Sequence, residues 1–323
     1  MVLTRSLKGA HKVIEVKEIR KNFKKVEAVK GVSLTINDGE ILGLLGPNGA
    51  GKSTTISIIS TLFPPSSGEV LYEGKNILKN PRGFREILGV VPQEIALYPE
   101  LTGYENLRFF GKVYGLKGKE LEERIQEVLE IIGLNGRVRD LVKNYSGGMK
   151  RRVNIGCALL HKPKILIMDE PTVGIDPQSR NHILETVKSL REEGMTIIYT
   201  SHYMEEVEYL CDRIYIMDHG EIIATGSKEE LKEQISNEET MEVIFETIQD
   251  DTIKVLKNII GVKAVNINDN DNRVTLIYEK GINILQLVFE KAQETQKKII
   301  SIQIKTPTLE DVFLKLTGRT IRD

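Results

Sequence analysis

The sequence predicts an α/β fold, a mostly parallel sheet with helices on its faces, followed by a smaller α+β domain. Three observations carry that prediction. A glycine-rich turn, Gly46-Pro47-Asn48-Gly49-Ala50-Gly51-Lys52-Ser53, stands between an apolar run and a helix-like stretch. Downstream, apolar strand-like runs alternate with helical segments up to residue 217. Beyond a polar stretch at 234–239 the order of elements changes to βαββαβ, the split arrangement called ferredoxin-like.

The elements follow in order. Ile14 and Val16 alternate with Glu15 and Lys17, and Val32, Leu34 and Ile36 alternate with Ser33 and Thr35, so two half-buried strands open the chain. Asn37-Asp38-Gly39 is a turn into the fully apolar strand 41–45. A helix over 54–63 is expected to stop at Pro64-Pro65, and 68–74 reads as an edge strand. From about 99 to 142 the pattern is helical, with Leu121, Ile125, Val128 and Leu129 at helix spacing. Ile165-Leu166-Ile167-Met168 is a strand buried on both faces. A helix at 177–193 ended by Gly194, a strand at 196–200, a helix at 204–211 and a strand at 213–217 follow. Ser227 and Glu230 form a capping box that opens one more helix.

The predicted second domain contains strand 241–245, helix 252–260, strand 262–267, a turn at Asn268-Asp269-Asn270-Asp271, strand 274–278, helix 282–295 and strand 299–304. A last helix, capped by Thr308 and Asp311 and stopped by Gly318, carries Leu309, Val312, Phe313 and Leu316 on one stripe. That stripe is expected to pack on its own domain.

Composition narrows the classes. The chain has 323 residues, enough for two domains, with 45 basic against 46 acidic residues. This balance argues against a nucleic-acid partner. Cys157 and Cys211 are far apart and lack metal or disulfide spacing, so both are expected to pack as small apolar groups in a reducing compartment. No apolar run approaches the roughly 18–20 residues that span a bilayer, and the first eight residues lack a signal-peptide core. Work at a membrane would need another chain to supply the span.

Strand, glycine-rich turn and helix form a phosphate site. Gly46, Gly49 and Gly51 free the backbone to turn its N–H groups toward an anion, and the new helix aims its positive end there. Lys52 adds a charge for the outer phosphates, and Ser53 offers a hydroxyl to Mg²⁺. At the end of the buried strand, Asp169 can hold Mg²⁺ through its water shell, and Glu170 can polarise water against a terminal phosphate. These residues predict a protein that binds a nucleotide triphosphate with Mg²⁺.

The order of the 46–53 turn, Gln93, Ser146-Gly147-Gly148, Asp169-Glu170, Asp176 and His202 resembles the ATP-binding cassette (ABC) ATPases, from about residue 13 to 230. The resemblance implies a mixed-sheet core, an antiparallel β subdomain and a helical subdomain at about 94–160, all within residues 1–237, with the accessory domain at 238–323. It implies two ATP molecules sandwiched between two subunits, head to tail. The turn at 46–53 with Thr54 would bind ATP from one side, and Ser146, Gly147 and Gly148 of the other subunit would close it. Gln93 would sense the γ-phosphate and metal, Asp176 would link the two sites, and His202 would hydrogen-bond the γ-phosphate. Glu170, His202 and Gln93 are thus the expected catalytic set, and Ser53, Gln93 and Asp169 the expected Mg²⁺ ligands. Phe23 matches the aromatic platform for adenine.

Tyr145-Ser146-Gly147-Gly148-Met149 departs from the commonest signature, which has Leu and Gln at its ends. The departure at Met149 removes a polar side chain and is expected to alter communication with the partner. This form, the ending 306–318 and the motif Leu101-Thr102-Gly103-Tyr104-Glu105-Asn106-Leu107 resemble the ATPase subunits of ABC type-2 exporters similar to daunorubicin-resistance ATPases. Lys150-Arg151-Arg152 reads as a solvated charged face.

Three readings follow. The first is the ATPase subunit of an exporter, peripheral on the cytoplasmic face of the membrane, paired with an integral-membrane permease subunit and a second ATPase copy. The second is a soluble ABC protein of translation or repair, against which the single cassette and the lack of heptads argue. The third is an importer subunit with a sensing tail, against which the signature and the ending argue. Co-purification with a multi-helix membrane protein separates the first from the second.

Overall fold

The computed structural model describes residues 11–24, 26–234, 238–248, 250–268, 272–305 and 307–317. Strands β1 (Lys12–Phe23) and β2 (Val26–Asn37) pair antiparallel, and Ile14, Val16, Val32, Leu34 and Ile36 turn their alternating apolar side chains inward as expected. β3 (Ile41–Leu45) is buried at every position, and α1 (Lys52–Ile59) follows the glycine-rich turn.

α1 is shorter than the sequence suggests. Thr61 takes φ 60, and the N–H groups of Thr61 and Leu62 close back onto Ile58 O and Ser57 O. This is a Schellman end with threonine in the place usually held by glycine, which hides it from a sequence reading.

β4 (Ser67–Tyr72) pairs with β1 on one side and with the two-residue β5 (Lys75–Asn76) on the other, so it is an inner strand and not the edge. The short helix α2 (Pro81–Arg85) leads to β6 (Leu88–Val91). Helices α3 (Gly103–Val113), α4 (Gly118–Ile131) and α5 (Gly147–Leu159) pack on one another as the expected helical insertion, with Leu121, Ile125, Val128 and Leu129 buried. Then come β7 (Ile165–Asp169), α6 (Pro177–Glu192), β8 (Thr196–Ser201), α7 (Met204–Leu210), β9 (Arg213–Asp218) and β10 (Glu221–Gly226). β10, a hairpin partner of β9, is not marked in the sequence reading.

Two sheets result: an antiparallel one in the order β2-β1-β4-β5 and a mixed one in the order β10-β9-β3-β8-β7-β6. Within the second, β9, β3, β8, β7 and β6 run parallel. One apolar core joins Ile14, Ile19 and Leu34 of the first sheet, Leu44, Ile167 and Ile198 of the second, and Ile56, Ile58 and Ile59 of α1. Burial on both sides holds α1 in place, and with it the turn at its head. Cys157 and Cys211 are buried free thiols, and burial pushes both well above the ordinary thiol range.

The chain divides into two compact units, the second beginning at Glu229. Helix α8 (Lys228–Glu233) therefore belongs mainly with the second unit, earlier than the boundary expected at 237/238; residues 235–237 lie outside the described ones. In this unit β11 (Glu238–Phe245), α9 (Asp250–Lys257), β12 (Val262–Asn268), β13 (Arg273–Glu279), α10 (Ile284–Glu294) and β14 (Ile299–Lys305) realise the βαββαβ order. Its sheet order β12-β13-β11-β14, antiparallel throughout, is that of a ferredoxin-like fold. The loop expected at 268–271 and the stop at Gly318 fall largely on residues outside the described ones. In α11 (Leu309–Thr317), Leu309, Val312 and Phe313 are fully buried, whereas Leu316 is 43% exposed and drops out of the stripe.

Candidate functional site

The parallel strands deliver their carboxyl ends to one edge of the mixed sheet, where α/β proteins hold ligands. β3 ends at Leu45 and enters the glycine-rich turn, which cannot carry side chains at two of its glycines. A Cβ on Gly46 would lie 2.3 Å from Met217 O, and one on Gly51, at φ 101, would lie 2.7 Å from Ala28 O. The turn therefore presses its backbone against β9 and β2 and leaves its outer rim to a ligand. Pro47, Asn48, Gly49, Ala50, Gly51, Lys52, Ser53 and Thr54 line a cavity shared with Ala28, Gln93 and Glu170.

Asp169 lies two strands from the turn, because β8 runs between β3 and β7. That is a lateral step of about 10 Å at normal strand spacing. β8 fills it with Thr200, whose hydroxyl donates to Asp169 Oδ1 at 2.6 Å and accepts from the Glu170 N–H at 2.9 Å. Glu170 itself takes φ 45, a left-handed backbone that costs about 1–2 kcal/mol in an L-residue. The bend turns its carboxylate toward the cavity. There it meets Lys52 Nζ at 3.1 Å, Gln93 Nε2 at 3.4 Å and His202 Nδ1 at 3.2 Å. Since a carboxylate only accepts, His202 carries a proton on Nδ1 in this contact. Lys52 also donates to Gly46 O and Pro47 O at 2.8 and 3.2 Å. Lys52, Gln93, Glu170 and His202 are thus one cluster, as the motif order leads one to expect.

Ser146, Gly147, Gly148 and Asp176 gather at a second place. Ser146 caps α5 by accepting the Met149 N–H, and Asp176 caps α6 by accepting the Ser179 N–H at 2.9 Å. That backbone bond holds the Asp176 carboxyl below the usual carboxylate range. A Cβ on Gly148 would sit 2.0 Å from Ser179 Oγ. The glycine is therefore required by packing within the chain, a reason separate from approach to a phosphate.

Phe23 is 46% exposed, which removes it from the core. It stands edge-to-face with Phe63 at 5.7 Å, and Lys21 Nζ lies 5.4 Å from its ring and 2.7 Å from Pro64 O.

The solvated charged face expected at Lys150-Arg151-Arg152 is overturned by the structure. Arg151 is buried and donates to Pro92 O and Gln93 O, so α5 holds the backbone of the glutamine in the cluster. Arg152 donates to Ile132 O and Gly133 O beyond the end of α4. The flat five-donor fork of arginine suits loop carbonyls that no helix satisfies. Burial lowers the pKa of both guanidinium groups.

A buried network was also missed. Glu206 Oε2 on α7 accepts from Thr172 Oγ1 (2.7 Å), Tyr199 OH (2.9 Å) and Ser201 Oγ (3.2 Å). Its Oε1 faces Arg180 Nε of α6 at 3.4 Å, an ion pair without hydrogen-bond alignment. Ser201 in turn accepts the Tyr203 N–H, and Tyr203 packs on His202 at 4.2 Å. Burial first, then Glu206, pushes the Tyr199 phenol well above its ordinary value. The sequence signal was a glutamate four residues after His202, which reads as a surface helix acid without tertiary information.

Comparison with known proteins fits this geometry. The family described as ABC transporter matches residues 29–173. Linearmycin resistance ATP-binding protein LnrL of Bacillus subtilis is 48% identical over 96% of this chain and 100% of its own length. This chain is an ABC transporter ATPase. The Doxorubicin resistance ATP-binding protein DrrA of Mycobacterium tuberculosis is 35% identical, covering 94% of this chain and 93% of its own. The Nod factor export ATP-binding protein I of Cupriavidus metallidurans is 36% identical, covering 96% and 99%. Residues 226–317 match the C-terminal domain of DrrA1-3-like ATP-binding proteins, the branch seen in the signature and ending. Among solved structures, an ATP-binding subunit of an ABC transporter aligns with a TM-score of 0.62 at 32% identity, over 69% of this chain and 92% of that one. A dimeric post-hydrolysis ATP-binding cassette with ADP and Pi aligns with a TM-score of 0.61 at 28% identity, over 66% and 98%. As an ABC ATPase the chain hydrolyses ATP in support of transport.

Ser53, Gln93 and Asp169 of this ATPase offer only hard oxygen donors with a single carboxylate. Such a set suits Mg²⁺, which keeps several waters and phosphate oxygens. Among the described residues no group of three His, Cys, Asp or Glu is placed to hold a metal by itself.

Proposed function

We propose that this chain is the ATP-hydrolysing subunit of an exporter, acting on the cytoplasmic face of the membrane through a separate membrane-spanning subunit. The observation that carries the hydrolytic role is the convergence of Lys52, Gln93 and His202 on Glu170. The full-length relatives bear resistance and export names, which supports the direction of transport. Among the described residues no helix is long and apolar enough to cross a membrane; in this reading the path lies in another chain.

In this reading the turn at 46–54 binds the phosphates through its N–H groups, and Phe23 stacks on adenine. Lys52 takes the outer phosphates, and Glu170, released from Lys52, orients and polarises the attacking water. His202 moves from Glu170 to the γ-phosphate and reports its presence. Ser53, Gln93 and Asp169 would hold Mg²⁺, which would spread phosphate charge when bound. Ser146, Gly147 and Gly148 of a second copy close the site, with Asp176 between the two. The second unit, from Glu229 onward, is an accessory domain without catalysis.

The membrane subunit docks on the exposed aromatic group of the helical subdomain. Tyr98 and Phe109 stand 4.9 Å apart and are 48% and 41% exposed, with Val113 and Tyr114 on the same helix end also exposed. Such a patch marks an interaction surface. The test is affinity purification from a native membrane extract. A multi-helix membrane protein should co-purify, and Phe109→Ser should release it without loss of ATP binding. Purification of the ATPase alone, with transport unimpaired by Glu170→Gln, refutes the reading.

A further inference from the structure

The signature opens on Tyr145, and this tyrosine is seated in a socket made for it. Its side chain is 5% exposed, and its hydroxyl donates to Arg137 O at 2.7 Å. The hydroxyl occupies the place where Gly103, at the start of α3, would carry a Cβ: the gap is 2.5 Å to the oxygen and 3.3 Å to Cζ. Around this contact the two segments are laced together. Gly103 N and Tyr104 N donate to Asp140 O and Val138 O, Val142 N donates to Leu101 O, and Lys143 N donates to Pro99 O. Thr102 bridges to Leu141. The motif at 101–107 and the signature at 145–149 are therefore one packing unit, with glycine in one because tyrosine stands in the other.

Ser146 is the very next residue and the cap of α5. Its position is set by the anchor before it and by Ser179 packed on Gly148 behind it. α3, on the far side of the anchor, carries Phe109. We propose that Tyr145 is a positioning residue for Ser146: the Tyr145–Gly103 socket registers the signature to α3, so that Ser146 reaches the phosphate of the partner's site. The proposal rests on the shared-site reading given above. A leucine at this position has no hydroxyl to tie to Arg137 O, so register in this chain depends on a bond that the common signature lacks.

Tyr145→Phe removes the hydroxyl and keeps the ring. It should lower ATPase turnover at least threefold and leave the affinity of the chain's own phosphate turn for ATP unchanged. The decisive readout is mixing. A fixed amount of Tyr145→Phe chain is titrated with excess Lys52→Ala chain, which has a dead phosphate turn and an intact signature. Activity per Tyr145→Phe chain should rise, because its own intact turn now meets a wild-type signature. Ser146→Arg titrated with Lys52→Ala is the control. If that control regains activity while Tyr145→Phe keeps wild-type turnover or gains nothing on mixing, the positioning role is refuted and the shared site stands. If the control stays dead although mixed dimers form, the shared site falls and the proposal with it. A paired variant gives an independent check. Gly103→Ala should cut turnover at least tenfold by striking the hydroxyl, and adding Tyr145→Phe should raise it to the level of Tyr145→Phe alone. Equal damage in both backgrounds overturns the socket.

Discussion

Glu170→Gln tests the cluster most directly, because it separates two roles of one carboxylate. In the structure Glu170 lies 3.1 Å from Lys52 Nζ, and both side chains are about 95% buried. At an effective dielectric constant of about 20, unit charges at that distance attract by about 5 kcal/mol, less the several kcal/mol of desolvation each ion bears. A triphosphate must take Lys52 from this partner. Glutamine keeps the shape but not the charge, and Lys52 retains Gly46 O and Pro47 O as acceptors. The competition removed is that of one charged hydrogen bond, about 1.5–3 kcal/mol, or roughly tenfold to a hundredfold in affinity. The variant should therefore bind a non-hydrolysable ATP analogue more tightly than the wild type. ADP should gain less and AMP nothing. Turnover should fall by about 10²–10⁴, the worth of a positioned general base. Titration calorimetry on both proteins measures the first effect and phosphate release the second. Equal or weaker analogue binding by the variant refutes the view that Glu170 competes for Lys52, and near wild-type turnover removes it from the chemistry.

Phe23→Ala should weaken ATP and ADP alike by about 1–3 kcal/mol through lost stacking. Because the ring is 46% exposed, melting without nucleotide should hardly move, and tripolyphosphate binding should be unchanged. Arg151→Met removes the bonds that hold Pro92 O and Gln93 O. It should lower turnover by tenfold or more while ATP affinity stays within about threefold, and equal turnover would show that Gln93 needs no such support. Glu206→Leu leaves Arg180 without its partner and three hydroxyls without an acceptor, and should cost about 3–5 kcal/mol in denaturant unfolding. Glu206→Gln should restore most of that stability by keeping an acceptor oxygen. Phe313→Ala empties a fully buried site in the second unit and should destabilise it by about 3–5 kcal/mol. A separate lower-temperature transition in calorimetry, with ATP affinity retained, is the expected result.

The strands and helices were legible where one periodicity ruled a segment. The apolar runs at 41–45 and 165–168, the helix of Pro177–Glu192 with its proline start and glycine end, and the βαββαβ order all read directly from residue types. Misreadings arose where a residue did an unusual job. Thr61 ends α1 with glycine's backbone, and β10 is hidden in a mixed sequence after a turn.

By itself the sequence determined the chemistry on offer: a phosphate turn, a strand-end acid pair, a glutamine, a histidine and a two-glycine signature in one order. Local spacing suffices for that, since each motif is built within a few residues of backbone. Only the tertiary structure decided which of these groups share charge. β8 enters between β3 and β7, so Thr200 becomes the link from Asp169 to Glu170, and Glu170 bends back to Lys52. It also drew Arg151 inward to the carbonyl of Gln93, and it set Tyr145 into the space left by Gly103. Those partners lie 58 and 42 positions apart in the chain. Residue type gives no sign of such pairing, because burial and hydrogen-bond satisfaction depend on which distant segments the core brings together.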